Sequence, residues 1–217
     1  MADTKLEKFY TFGEELTNCI SHGIGTMLSI SALVLLIIRA AVHAPAGHTG
    51  ACVVGFTIFG VTLVLLYSMS TLYHAMLPDG ARKVFRILDH TSIYALIAGT
   101  YTAFCLSILR GGWGWSLFGV IWGLAVLGIT LDAVFACRLK KFSLVLYLLM
   151  GWLMVIAIRP LLAVIPPISM KFLVWGGILY TAGAVFFVIR KKWMHTVWHF
   201  FVLTGSILHF FAVYFVI

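Results

Sequence analysis

Seven stretches of mostly apolar residues, at roughly 19–39, 50–76, 84–108, 113–133, 142–159, 168–190 and 194–216, take up nearly all of this 217-residue chain. A helix needs about 20 such residues to cross the hydrocarbon core of a bilayer. The connections are short and carry the residues that interrupt helices, as in AVHAPAGHTG, LPDGARK, RGGWG and RPLLAVIPP. The pattern predicts an all-α, seven-transmembrane helix bundle formed by residues 1–217 as a single membrane-embedded domain. Residues 1–18 are expected to be a short polar N-terminal segment, and no length remains for a soluble domain. Composition agrees: 62% of residues are hydrophobic and only 10% charged, with a mean hydropathy of +1.07. Soluble domains carry about a quarter of charged residues. The first 18 residues mix charges (Lys5, Glu7, Lys8, Glu14, Glu15) and show no cleavable secretory leader, so the first apolar run is expected to persist as a helix.

Lys and Arg in short loops set orientation, because such loops are retained in the cytoplasm. Lys5 and Lys8, then Arg82, Lys83 and Arg86, then Arg138, Lys140 and Lys141, then Arg190, Lys191 and Lys192 fall on one side. Only Arg39, Arg110, Arg159 and Lys171 fall on the other. The split predicts a cytoplasmic N-terminus and an outside C-terminus, opposite to G-protein-coupled receptors. It also accounts for the net charge of +8 without nucleic acid, since no long basic helix or aromatic-interleaved basic patch is present. The four cysteines are scattered without metal-binding spacing, and reduced packing thiols are the expectation.

Within this apolar background, polar residues gather at one depth. Ser70 and His74 fall in the last turns of the second helix, Asp89 in the early turns of the third, and His195 and His199 in the first two turns of the seventh. Residues four apart share a helix face, so His195 and His199 can reach one ion or one partner. An ionisable residue inside the membrane costs roughly 2.5–3.5 kcal/mol for Asp on insertion scales and normally faces a partner in the bundle. Three neutral imidazoles with the fourth position left to water match a catalytic zinc site, and a carboxylate beside it could orient that water and take its proton. The competing reading of an HxxxH pair alone is two histidines that bond each other or water.

The segments EELTNCISHGIG (14–25), STLYHA (70–75), LDHTSIYALIAGTYT (88–102) and HTVWHFFVLTGS (195–206), in this order, resemble the haemolysin III family, the bacterial branch of the progestin and adipoQ receptor family. The resemblance covers nearly the whole length. It implies a seven-helix fold with an internal zinc site near the cytoplasmic face, held by His74, His195 and His199. It further implies that Asp89 holds the water at the site, with Ser70 beside it, and that the protein sits in the bacterial inner membrane. Members include receptors, share motifs with alkaline ceramidases, and owe the family name to a cell-lysis phenotype.

Other residues have plainer expectations. Glu15, Asn18 and His22 are read either as a polar layer that orients ligands or headgroups, or as helix-start chemistry. His90 is expected to point about 100° away from Asp89 and to serve as an interhelical contact. His209 lies about 21 Å further along the last helix than His195 and is expected to be packed and hydrogen-bonded. His43 and His48 are expected to be solvated. Gly55, Gly60, Ala98, Gly99, Gly176, Gly177 and Gly205 would allow close helix approach, and Trp113, Trp115, Trp175, Trp193 and Trp198 would form interface belts.

Three functions follow. The first is a zinc-dependent hydrolase of a lipid amide or ester, with Asp89 as base and Ser70 steadying the oxyanion. The alternative is a non-enzymatic regulator of membrane homeostasis with a structural zinc. The third, a cytolytic pore-former, fits poorly with a chain inserted during synthesis. Membrane lipids are the expected partners of all three, and nucleic acid of none.

Overall fold

The computed structural model describes residues 10–75, 78–189 and 191–217, and every regular element among them is helical. Lys5, Lys8 and Arg190, counted above toward orientation, lie outside the described residues. The order is α1 (Phe12–His43), α2 (Thr49–His74), α3 (Asp79–Ser107), α4 (Gly112–Val134), α5 (Lys140–Trp152), a 3-10 segment (Leu153–Ala157), α6 (Ile158–Leu162), α7 (Pro167–Val188) and α8 (Met194–Tyr214). Consecutive rods pack antiparallel, α1 on α2, α2 on α3, α3 on α4 and α7 on α8, and α1 also meets α8.

On α1 the buried face is more polar than the exposed one. Along α1 the buried stripe is Glu14, Glu15, Asn18, Ser21, His22, Gly25, Ser29, Ala32, Leu36 and Ala40, whereas Ile20, Met27, Val34 and Ile38 are each more than half exposed. In water that arrangement would cost the full transfer energy of every outward side chain, about 1.5–3 kcal/mol each; against lipid tails it costs nothing. Six helical units among the described residues are long and apolar enough to cross a membrane: α1, α2, α4, the combined α5–α6 unit, α7 and α8. The protein is therefore a multi-pass membrane protein. The third long helix, expected to span like the others, falls short of the same measure. Its first turns hold Arg82, Lys83, Arg86 and Asp89.

Small residues let the first three helices approach closely. A Cβ built on Gly60 would lie 2.6 Å from Leu33 of α1, and one on Gly99 would lie 2.3 Å from the Thr62 hydroxyl of α2. Gly177 is an exception to the expected packing role, because nothing lies within 4 Å of its Cβ position and it lines a cavity instead. The cysteines are all free.

Three helices depart from the apolar-run boundaries, the third by starting at Asp79 rather than 84. The first begins at Phe12 rather than 19, so residues 12–18 belong to the helix. Thr11 and Glu14 form a reciprocal cap, in which the Thr11 N–H and hydroxyl both donate to Glu14 Oε2 at 2.8 Å and the Glu14 N–H returns to Thr11 Oγ1 at 3.4 Å. The run at 142–159 is not one helix, since its regular ladder gives way to the 3-10 segment after Trp152. Here the Tyr101 hydroxyl of α3 inserts into the ladder. It accepts from the Met154 N–H at 2.7 Å and donates to the Met150 carbonyl at 2.8 Å, so it replaces the direct bond between those two groups. Pro160, with no N–H to offer Ile156, keeps the following turn from repairing the break. Tyr101→Phe is expected to leave the Met154 N–H unpaired and to lower stability by about 1–3 kcal/mol, read as an earlier unfolding midpoint in detergent. A midpoint equal to wild type would mean that the ladder closes without the hydroxyl.

Candidate metal centre

The ends of the rods bring the polar residues together. At one end of the bundle α1, α3 and α8 begin while α2 finishes, so residues far apart in sequence share one layer. His74 is the last residue of α2, with Ser70 one turn before it; Asp89 lies in the third turn of α3; His195 and His199 occupy the first two turns of α8. Ser70, His74 and His199 are almost fully buried and Asp89 is buried as well.

His74, His195 and His199 each offer a ring nitrogen, and the three donor atoms lie within 4.8 Å of one another. Their ring centroids are 4.7 Å apart for His195 and His199, 4.9 Å for His74 and His199, and 5.5 Å for His74 and His195. The group could hold a metal ion, and its chemistry fits zinc. Nε2 of His195 faces Nε2 of His199 at 3.1 Å, close to the ~3.3 Å that separates two ligands held at about 2.05 Å from a tetrahedral ion. His74 Nε2 is buried without a hydrogen-bond partner. A buried nitrogen left so costs about 1–3 kcal/mol, and a cation would satisfy it.

Around the histidines lies a shell of defined contacts. His74 Nδ1 is 2.6 Å from Glu15 Oε2, and the other oxygen of Glu15 is bonded by Arg82. The His22 ring stacks on His199 at a centroid distance of 3.8 Å and meets Tyr67 edge-on at 5.0 Å. Both nitrogens of His22 and both amide atoms of Asn18 are buried without a hydrogen-bond partner. Glu15 and His22 thus each touch one of the three histidines, Asn18 shares their buried face of α1, and the helix cap is made by Glu14. Asp89 has its Oδ2 3.4 Å from His90 Nδ1. Ser70 Oγ lies beside the Asp89 carboxylate without completing a hydrogen bond to it.

The His90 ring turns toward Asp89, although its Cα is offset by 100°. Its backbone carbonyl makes the interhelical contact, accepting from Tyr147 of α5 at 2.8 Å. Tyr147 also reaches Asp132 of α4 at 3.4 Å, whose other oxygen accepts from Ser143 at 2.7 Å. His209 is packed edge-on to Tyr180 as expected, but its Nε2 is buried without the expected hydrogen bond. His43 and His48 are exposed.

Several neighbours of the cluster carry no sequence signal that distinguishes them. Tyr10, just before α1, stacks on His195 at 4.8 Å and meets His74 edge-on at 6.1 Å, covering the cluster from the end of the bundle. Burial, together with the carboxylates of Asp89 and Glu14, pushes its phenol up to about 12, so it is neutral at pH 7. Trp198, expected in an interface belt, packs on His195 and His199 at 5.2 and 5.4 Å. Glu14 accepts from the Trp193 N–H at 2.5 Å, and Trp193 takes a left-handed φ of 68°, a conformation rare for a bulky residue. That turn sets the angle at which α8 starts and presents His195.

A cavity of about 220 Å³ lies between α3, α5, α6, α7 and α8, and none of the three histidines lines it. Asp89 and His22 are part of its lining, and Ile97, Phe104, Leu173 and Val202 supply apolar wall.

A family model described as Haemolysin-III related matches residues 10–210. The chain belongs to the haemolysin III family. This haemolysin III protein is 48% identical over 203 residues to "Hemolysin-3" of Bacillus cereus, covering 93% of this chain and 91% of that one. It is 45% identical over 207 residues to "Hemolysin-3 homolog" of Bacillus subtilis (strain 168), with 95% of each chain covered. A more distant likeness, 28% over 167 residues, joins it to the human "Monocyte to macrophage differentiation factor", covering 72% of this chain and 68% of the human one. That relative extends the kinship to the progestin and adipoQ receptor family.

Proposed function

We propose that this haemolysin III protein is a membrane-embedded hydrolase that holds zinc through His74, His195 and His199 and cleaves an amide or ester bond of a membrane lipid. The reading includes a cytoplasmic N-terminus in a bacterial inner membrane, with seven rods crossing the bilayer. One observation carries it: three convergent imidazole donors lie within 4.8 Å of one another, and an apolar cavity beside them has in its wall the buried carboxylate Asp89 and His22, the ring stacked on His199. An apolar chamber inside a membrane protein suits an acyl chain, and a substrate confined to the bilayer reaches it without crossing water.

Zinc bound there would supply Lewis-acid polarisation of a carbonyl and a water of lowered pKa. The chain's own groups do the rest. Asp89, an ionisable residue kept within the bundle, takes the proton from the attacking water. The Ser70 hydroxyl, with no protein acceptor of its own, donates to the carbonyl oxygen as charge develops on it. His22, stacked on His199 and exposed to the cavity, borders the position of the lipid's polar group.

A second reading, a membrane-homeostasis regulator with structural zinc, is favoured by the way the cluster and Glu15 join α1, α2, α3 and α8 at one end. Asp89→Asn separates the two. In nanodiscs of bacterial lipid extract, with released fatty acid measured by mass spectrometry, the variant is expected to keep its zinc while turnover falls by about 10²–10⁴-fold, the usual contribution of a general base. A zinc-loaded wild type that releases no fatty acid would sink the hydrolase reading and leave the regulator.

A further inference from the structure

We propose that Glu15 is the positioning residue of the centre, fixing the His74 imidazole in the tautomer and orientation that present Nε2 to a metal, with Arg82 locking Glu15 in turn. The proposal rests on the reading of His74, His195 and His199 as ligands. It assigns two residues on two further helices to one function.

The argument starts from where His74 stands. As the last residue of α2, it has no further helical turn beyond it to hold its backbone or its side-chain torsions. Its imidazole has two nitrogens, and which one carries the proton depends on what the other meets. Nδ1 meets Glu15 Oε2 at 2.6 Å, and a carboxylate can only accept. The proton therefore sits on Nδ1, and the lone pair sits on Nε2, the atom that is buried without a partner. A carboxylate behind a ligand histidine fixes the ring and raises its basicity toward the metal.

Glu15 is itself held. It lies in the first turn of α1 and is only 5% exposed, where an unpaired carboxylate would be costly. The Arg82 guanidinium of α3 takes its second oxygen and lies over the Tyr73 ring of α2 at 5.5 Å. Both oxygens are thus occupied, one by the ligand and one by the cation, and the carboxylate cannot swing away without losing one of them. The neighbouring Glu14 makes none of these contacts, since its partners are Thr11 and Trp193.

The test uses the full-length protein in nanodiscs, with zinc affinity measured by competition against a chromophoric chelator. Glu15→Leu is expected to weaken zinc binding by about 10–100-fold, as outer partners of metal ligands do. Glu15→Gln, which keeps an acceptor for Nδ1–H but loses the charge, should fall between the two, and Arg82→Leu should weaken binding less than Glu15→Leu. Unchanged affinity in Glu15→Leu would overturn the proposal. Histidine 15N spectra of the metal-free protein supply the second measurement. Wild-type His74 should show protonated Nδ1, and Glu15→Leu should show a tautomer mixture. If wild type takes up no zinc, the metal reading fails, and the spectra alone judge the strut: an unaltered His74 tautomer in Glu15→Leu would overturn it.

Discussion

Purified His199→Ala is expected to carry less than about a tenth of a zinc ion per chain, against near one for wild type, when metal is measured by mass spectrometry. His199 is the ligand most enclosed by its surroundings: its ring is stacked on His22, flanked by Trp198, and set 3.1 Å from His195 through Nε2. Truncation removes one donor of three. It also leaves His195, at the start of α8, without the partner that orients it. A stability effect should accompany the loss, because an ion that binds only the folded state stabilises it by about 2.7 kcal/mol at a hundredfold excess over Kd. The wild-type melting temperature should therefore drop when chelator is added, whereas the variant should melt at one temperature with or without it. Full zinc occupancy in His199→Ala would remove this residue from the ligand set. Wild type without metal would leave a hydrogen-bonded histidine cluster and no metal centre.

The second large effect is expected from Gly128→Ala, far from any ligand in sequence. A Cβ at this position of α4 would stand 2.3 Å from the Tyr94 ring, with further ring atoms at 2.5 and 2.8 Å. Tyr94 is fully buried and cannot swing outward. Its ring sits 4.4 Å from Tyr147, so a displacement is passed on to the residue whose hydroxyl bonds both His90 and Asp132. Overpacking of this kind costs about 1–3 kcal/mol. A detergent unfolding midpoint lowered by that amount is the expected result, with zinc content preserved because none of the three histidines touches Tyr94. A midpoint matching wild type would mean that α4 moves away without cost, and that its packing on α3 is looser than the close contact implies.

How much of this was legible in the residues can be judged from particular cases. Helical periodicity and the length of the apolar runs suffice for α2, α4, α7 and α8, whose ends fall within two residues of the expected ones. The 195/199 spacing and the shared depth of His74 and Asp89 were enough to place those residues in one layer, because alternating up-and-down helices fix depth by counting. Depth says nothing about rotation or reach, and there the sequence falls silent. Glu15 reads equally as a ligand-orienting residue or as a first-turn acid until its partners, 59 and 67 residues away, are in place. Arg82 reads as one more positive charge beside the membrane. The start of α1 is hidden because hydropathy registers polarity, while Glu14 and Glu15 are buried by pairing. The break after Trp152 depends on a hydroxyl from α3 that no pattern within the segment announces.

The first and last helices meet at both ends, through Glu14 and Trp193 at one and through Arg39 at the other, where the guanidinium holds the carbonyls of Tyr214 and Ile217. Two of the three histidines are carried by α8, whereas His74 is carried by α2, which is synthesised well before it. On the proposed reading, a nascent chain without α8 would offer the metal pool one ligand of the three. Metal uptake would then await the step that brings α8 against α1.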